Sequence, residues 1–323
     1  MSHRVIVSDS KILNLDAGAT AFAAVGAETE VVKAESPEEL VAAADGANAL
    51  LVDAGTQVTE RVLSELDSLK VVGRSGIGVD NVDVDAARER GVTVVNVPDY
   101  CLDEVSSHAL GMLLSCARRL PALDRSVREG EWDWSVGGPI RRVRGSTVGL
   151  VGFGKIARSL AAKLRGFDVD VLVYDPHVSE GDLAGFSVTR TGFDRLLTES
   201  DFVSVHAPLT DETHGMFDAD AFGTMPDHAI FVNTARGPIV DEGALCDALA
   251  SDGLAGAGLD VRESEPPTDD RVFEFDNVVC SPHAAFYSEE SRRELSRSVS
   301  EDVCRVLRGE KPRNPVETGD GWG

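Results

Sequence analysis

Three ionisable residues in the second half of the chain each stand just beyond a short apolar run. Arg236 follows Ala229–Val232, Glu265 follows Ala255–Leu259 in LDVRESEPP, and His283 follows Val278–Cys280 in CSPHAAFYSEES. Apolar runs this short, bounded by turn residues, read as buried strands. In layered α/β proteins, ligands bind where such strands end. An imidazole titrates near neutrality and can give or take a proton. A carboxylate on its other nitrogen orients the ring and stabilises the imidazolium. A guanidinium presents a planar fork that fits a carboxylate and polarises a neighbouring carbonyl. The trio suits proton delivery to the carbonyl of a small 2-oxo acid, provided that a hydride comes from elsewhere.

A hydride source is indicated upstream. In TVGLVGFGKIARSLAAKLRGFDVDVLVYDP, the strand Val148–Val151 runs into Gly152-x-Gly154-x-x-Ala157 and a helix follows. Gly152 allows a tight turn, Gly154 lets the backbone approach a pyrophosphate, and Ala157 permits close packing of helix on strand. The helix N-terminus turns free N–H groups toward the phosphates. A second strand ends in Asp175, 21 residues after Gly154. That acid can accept both ribose hydroxyls and would repel a 2′-phosphate, which favours NAD over NADP. No metal is expected.

These residues need strands to hold them. Short β-branched runs alternate with helical patterns over Arg4–Val7, Glu30–Val32, Ala49–Val52, Lys70–Val72 and Thr93–Val97, and again from Val148 to Cys280. Such alternation predicts an α/β fold with two Rossmann-like, doubly wound parallel-sheet domains. Between the two series, DEVSSHALGMLLSCARRL predicts one long helix over Asp103–Leu120, ending before Pro121. His108 and Met112 on that helix are expected to be packing residues. The helical run from Ser288 to Arg308 is long enough to return to the first domain. The expected division is therefore 1–101 with 288–323 as a substrate-binding, flavodoxin-like domain, and 102–287 as an inserted NAD-binding domain.

Composition narrows the function further. Fifty-five acids face 31 bases, for a net charge of −24, and only six bases are lysines. This argues against binding of nucleic acid or anionic membranes, which require basic patches, and predicts adaptation to high salt. Five scattered cysteines with no C-x-x-C pair argue against disulfides or zinc and suit a reducing cytoplasm. The start MSHRVIVSDS leads directly into a strand, so no targeting segment is expected. No apolar run approaches the ~18 residues of a membrane span.

The sequence resembles the D-isomer-specific 2-hydroxyacid dehydrogenases over nearly its whole length. The matching segments are GRSGIGVDNVD (73–83), VGFGKIA (151–157), YDP (174–176), SVHAPLT (204–210), FVNTARGPIVDEGAL (231–245), GLDVRESEPP (258–267) and SPHAA (281–285). The resemblance implies Glu265 and His283 as the acid–base pair and Arg236 on the substrate carboxylate and carbonyl. It implies NAD contacts at Gly152, Gly154, Lys155, Ile156, Asp175, His206, Ala207, Pro208, Thr213, Thr234, Ala235, Arg236, Asp260, His283 and Ala285. The loop Ser75, Gly76, Ile77 would bind the substrate carboxylate through backbone N–H groups, alongside Arg236 and His283. It further implies a homodimer through the 103–120 helix region. Two narrower readings stand beside the general one: a D-3-phosphoglycerate dehydrogenase, expected here without a regulatory module, and an NADH-sensing module like the C-terminal binding proteins, whose His-Ala-Ala-Phe turn is similar to HAAFYSEES.

Overall fold

The computed structural model describes residues 2–8, 13–34, 36–269 and 271–317. The chain divides into two compact units, with breaks after Cys101 and after Phe286. The second break falls one residue earlier than expected, so Tyr287 belongs with the C-terminal helix.

The first unit alternates β1 (His3–Ser8), α1 (Leu15–Ala24), β2 (Ala27–Val32), α2 (Pro37–Ala44), β3 (Ala49–Val52), α3 (Glu60–Glu65), β4 (Val71–Arg74), α4 (Val84–Glu89) and β5 (Thr93–Val95). Its five parallel strands run β2-β1-β3-β4-β5, the flavodoxin-like order. The central strand β3 is apolar and buried on every residue, as in a sheet that helices cover on both faces. α2 starts where the sequence predicts. The Ser36 hydroxyl accepts the Glu39 N–H at 3.2 Å, and Pro37 occupies the first turn.

The second unit opens with α5 (Leu102–Ala117) and α6 (Leu120–Arg128). The single helix expected up to Leu120 is thus two. Arg119 turns left-handed at φ 53°, and Pro121 starts the next helix instead of ending the last. A proline in a first turn gives up no hydrogen bond, so it serves either role. Then come β6 (Thr147–Val151), α7 (Lys155–Leu164), β7 (Asp170–Tyr174), β8 (Thr189–Arg190), α8 (Phe193–Glu199), β9 (Phe202–Val205), α9 (Ala219–Thr224), β10 (Ile230–Asn233), α10 (Glu242–Ala250), β11 (Gly256–Leu259) and β12 (Val278–Cys280). The sheet order β12-β11-β10-β9-β6-β7-β8 is a Rossmann sheet with a seventh strand added. Its chain order reverses between β6 and β9, which is where a dinucleotide is expected.

The chain closes with α11 (Glu289–Leu307), begun by a reciprocal Ser288/Ser291 capping box and packed on α1 and β4 of the first unit. A side chain at Gly73 would come within 2.9 Å of Val299 and Val303, so that glycine permits the close approach of α11 to β4. α5 buries Val105, Ala109, Met112, Leu113, Cys116 and Ala117 inside the second unit, against the sheet and α7. The apolar face expected at an interface is therefore core. Large exposed apolar side chains instead gather just downstream at Leu120, Val127, Trp132, Trp134 and Val136. Among the described residues, no helix is long and apolar enough to cross a membrane.

Candidate active site

The β6 turn is built for close approach. Gly152 has φ 88°, and a Cβ there would lie 2.7 Å from the Ala207 nitrogen and 2.8 Å from the His206 carbonyl carbon. Only glycine fits. Gly154 caps α7, and a Cβ on it would meet nothing within 4 Å. That open cradle faces the first helical N–H groups, beginning at Lys155 and Ile156. Asp175, at the end of β7, accepts the Phe153 N–H through Oδ2 and the His177 N–H through Oδ1, both at 2.8 Å. The acid is thereby tied to the glycine turn. Its remaining lone pairs can take ribose hydroxyls.

The wall beyond β9 holds His206, Ala207 and Pro208. His206 hydrogen-bonds Ser204 at 2.9 Å, and burial pushes its pKa down to about 4. It is neutral at ordinary pH, as a wall residue should be. Thr213 braces this segment by donating to the Pro208 carbonyl at 2.6 Å. After β10, the Asn233 side chain accepts the Ala235 N–H and donates to the Arg236 carbonyl, both at 2.9 Å. This staple shapes the Thr234-Ala235-Arg236 turn. Thr234 Oγ1 is buried without a hydrogen-bond partner, an orphan that a cofactor polar group would satisfy. The residues present therefore fit a dinucleotide.

Arg236, Glu265 and His283 come together. His283 Nδ1 lies 2.6 Å from Glu265 Oε2. Burial opposes the charge on Glu265. Against it act the hydrogen bond and charge of His283, the Arg262 N–H at 3.2 Å and the charge of Arg236, and the net result is a pKa below the ordinary carboxylate value. An ionised Glu265 only accepts, so His283 Nδ1 carries hydrogen and the other ring nitrogen, Nε2, is the one able to exchange a proton with a ligand. Gly237 brings the two loops together: a Cβ on it would sit 1.8 Å from the Arg262 carbonyl oxygen.

Several supports were not visible in the sequence. Arg262 makes a two-pronged pair with Glu242, both contacts at 2.9 Å, and the Glu263 N–H donates to the same carboxylate at 2.7 Å. This clamp fixes the Glu265 loop on α10. Asp260, expected as a cofactor contact, is 1% exposed. Its Oδ1 accepts the Ser281 hydroxyl at 2.6 Å and the Ala284 N–H at 2.8 Å, and its Oδ2 accepts the Ala285 N–H at 2.9 Å. Asp260 and Ala285 thus shape the His283 loop from within. Met112 packs in the core as expected, but His108 does not: its Nε2 reaches Ser281 Oγ at 2.8 Å.

In the first unit, Ser75-Gly76-Ile77 follows β4. Gly76 has φ 154°, and a Cβ there would strike the Arg74 guanidinium. Ser75 Oγ is buried without a partner. Arg74 is 5% exposed and bonds Asn81 at 3.3 Å, which holds the turn from beneath. Among the described residues, no group of three or more histidines, cysteines or acids could hold a metal.

With this geometry, residues 110–285 match the family described as D-isomer specific 2-hydroxyacid dehydrogenase, NAD binding domain. The chain belongs to that family. It is 39% identical over 292 residues to the D-3-phosphoglycerate dehydrogenase of Archaeoglobus fulgidus, covering 90% of this chain and 55% of that one. It is 36% identical over 310 residues to the hydroxypyruvate reductase of Thermotoga maritima, covering 94% and 98% respectively. The chain thus spans little more than half the length of the phosphoglycerate dehydrogenases it matches. The solved TT0316 protein of Thermus thermophilus superposes with a TM-score of 0.89 at 32% identity, covering 97% of this chain and all of that one.

Proposed function

We propose that the chain is an NAD-dependent oxidoreductase that interconverts 2-oxo acids and D-2-hydroxy acids. The observation that carries this reading is the 2.6 Å pairing of His283 with an ionised Glu265, within reach of the Arg236 charge. A dinucleotide held with its pyrophosphate at Gly152 and Gly154 would supply the hydride for the carbonyl carbon. Arg236 holds the substrate carboxylate and draws electron density from the carbonyl oxygen. His283 Nε2 delivers a proton to that oxygen, and Glu265 stabilises the ring while its charge changes. In the reverse direction the neutral ring accepts the hydroxyl proton. Asp175 selects NAD. The Ser75–Ile77 turn offers N–H groups to an anion.

Two finer proposals accompany this reading. The exposed Leu120, Val127, Trp132, Trp134 and Val136 are the surface through which two copies would pair. The acid excess suits a salt-rich cytoplasm.

The test is NADH oxidation, followed by its near-ultraviolet absorbance in high salt, with pyruvate, glyoxylate, hydroxypyruvate and 3-phosphohydroxypyruvate. Turnover with one or more, abolished in His283→Ala, is expected. NADH binding without turnover on any of them would replace this reading with a cofactor-sensing module.

A further inference from the structure

The buried Asp260 cluster extends beyond the loop that it shapes. The Ser281 hydroxyl gives its one proton to Asp260 Oδ1, so its oxygen is left as an acceptor. His108, 173 positions earlier in the chain, must then donate to it through Nε2–H, at 2.8 Å. The same nitrogen lies 3.7 Å from Asp260 Oδ1. His108 reaches this point because α5 lies unusually close to the sheet. A Cβ on Gly258 would come within 2.9 Å of Met112, one turn further along the helix.

Between Ser281 and Ala285 sits His283, at φ 50°. A non-glycine residue keeps that left-handed conformation only when its surroundings hold it. Its own N–H donates to the carbonyls of Asp260 at 2.7 Å and Ser281 at 3.1 Å. Apart from the His283–Glu265 pair, the hydrogen bonds that fix the loop among the described residues pass through Asp260 or Ser281, and His108 braces the second of these.

We propose that His108, Ser281 and Asp260 form a hydrogen-bonded relay that holds loop 281–285 in the shape that turns His283 onto Glu265, with His108 as a positioning residue for proton transfer. The proposal rests on the role given above to His283. The relay forms no covalent bond, and His108 acts through the loop that carries His283. It keeps one residue in a conformation that the backbone alone would abandon.

Two variants separate this role from mere packing. His108→Leu fills the space but cannot donate, whereas the amide of His108→Gln can reach Ser281 Oγ. In His108→Leu, kcat should fall roughly five- to tenfold, the effect of one net hydrogen bond. KM for the oxo acid and NADH affinity should stay within about twofold, because the Arg236 turn and the glycine turn are not part of the relay. Amide hydrogen exchange at Ala284 and Ala285 should quicken, while exchange in β10 and β11 stays unchanged. His108→Gln should restore most of the rate and the protection. Wild-type exchange at Ala284 and Ala285 in His108→Leu would overturn the relay, as would a loss that His108→Gln leaves uncorrected. The exchange measurement needs no substrate. A wild-type chain that turns over no 2-oxo acid defeats the reaction assignment, while the amides still decide whether the relay exists.

Discussion

Gly237→Ala should disable the site without removing any group that does chemistry. Gly237 lies in a 3-10 turn with no left-handed φ, so alanine strains no backbone angle there. The obstacle is contact alone. The added Cβ would sit 1.8 Å from the Arg262 carbonyl oxygen, 2.0 Å from its carbon and 2.5 Å from the Glu263 nitrogen. Ordinary contact needs somewhat more than 3 Å, so the Arg236 turn and the Glu265 loop must part by roughly 1.3 Å. The Glu265 loop cannot yield freely, because Arg262 is clamped to Glu242. Overpacking of this kind costs about 1–3 kcal/mol. For a unit of this size that lowers the melting temperature by about 4–8 °C at the middle of that range. A displacement near 1 Å between the guanidinium and the imidazole–carboxylate pair should lower kcat about a hundredfold, while NADH affinity, carried mainly by the β6 turn and Asp175, should change much less. The assays are steady-state NADH oxidation, NADH fluorescence titration and thermal melting. Gly223→Ala is the control: no atom lies within 4 Å of its Cβ, so that variant should keep full activity. A Gly237→Ala protein with wild-type kcat and melting temperature would refute the idea that this glycine sets the spacing of the two loops.

Other expectations follow from the same geometry. Arg236→Lys should raise KM for the oxo acid by at least about tenfold, since an ammonium cannot reproduce the fork, and a comparable loss of NADH affinity would mean that the arginine serves the cofactor instead. Asp175→Ala should narrow the preference for NAD over NADP in paired kinetic assays; equal losses with both cofactors count against the ribose contact. His206 has a folded pKa of about 4 against an ordinary 6.5, so the unfolded chain binds its proton first as pH falls. Its contribution to stability is intact above about 6.5 and declines toward about 4, by about 3 kcal/mol in all. Denaturant titrations should show this acid slope in the wild type and lose it in His206→Asn; an identical slope in both would exclude His206 as its source. The melting temperature should climb from dilute buffer to molar salt, as 55 acids against 31 bases imply. A flat series would remove the argument for salt adaptation.

The chain order already contained both sheets. Runs such as ALLV and AIFV are apolar on every residue, which only a strand buried on both faces tolerates, and Gly152 of VGFGK marks a turn that no side chain could occupy. Arg236, Glu265 and His283 were legible because residue type and strand-end position together define a chemistry. Where one residue type serves two purposes, the sequence misled. Pro121 suits a helix end or a helix start, and the kink at Arg119 decided for the start. The apolar stripe of α5 suits a core or an interface, and the packing of Met112 on Gly258 decided for the core. The supports of the site lay beyond sequence reading altogether. Arg262 meets Glu242 from 20 positions away, Asp260 binds backbone N–H groups that every residue possesses, and His108 meets Ser281 across 173 positions. A hydrogen bond to main chain leaves no mark on residue identity, and a contact between distant segments has no local period. Which groups are able to perform the proposed chemistry was therefore written in side-chain type. How they are held still depends on distances that only the folded backbone sets.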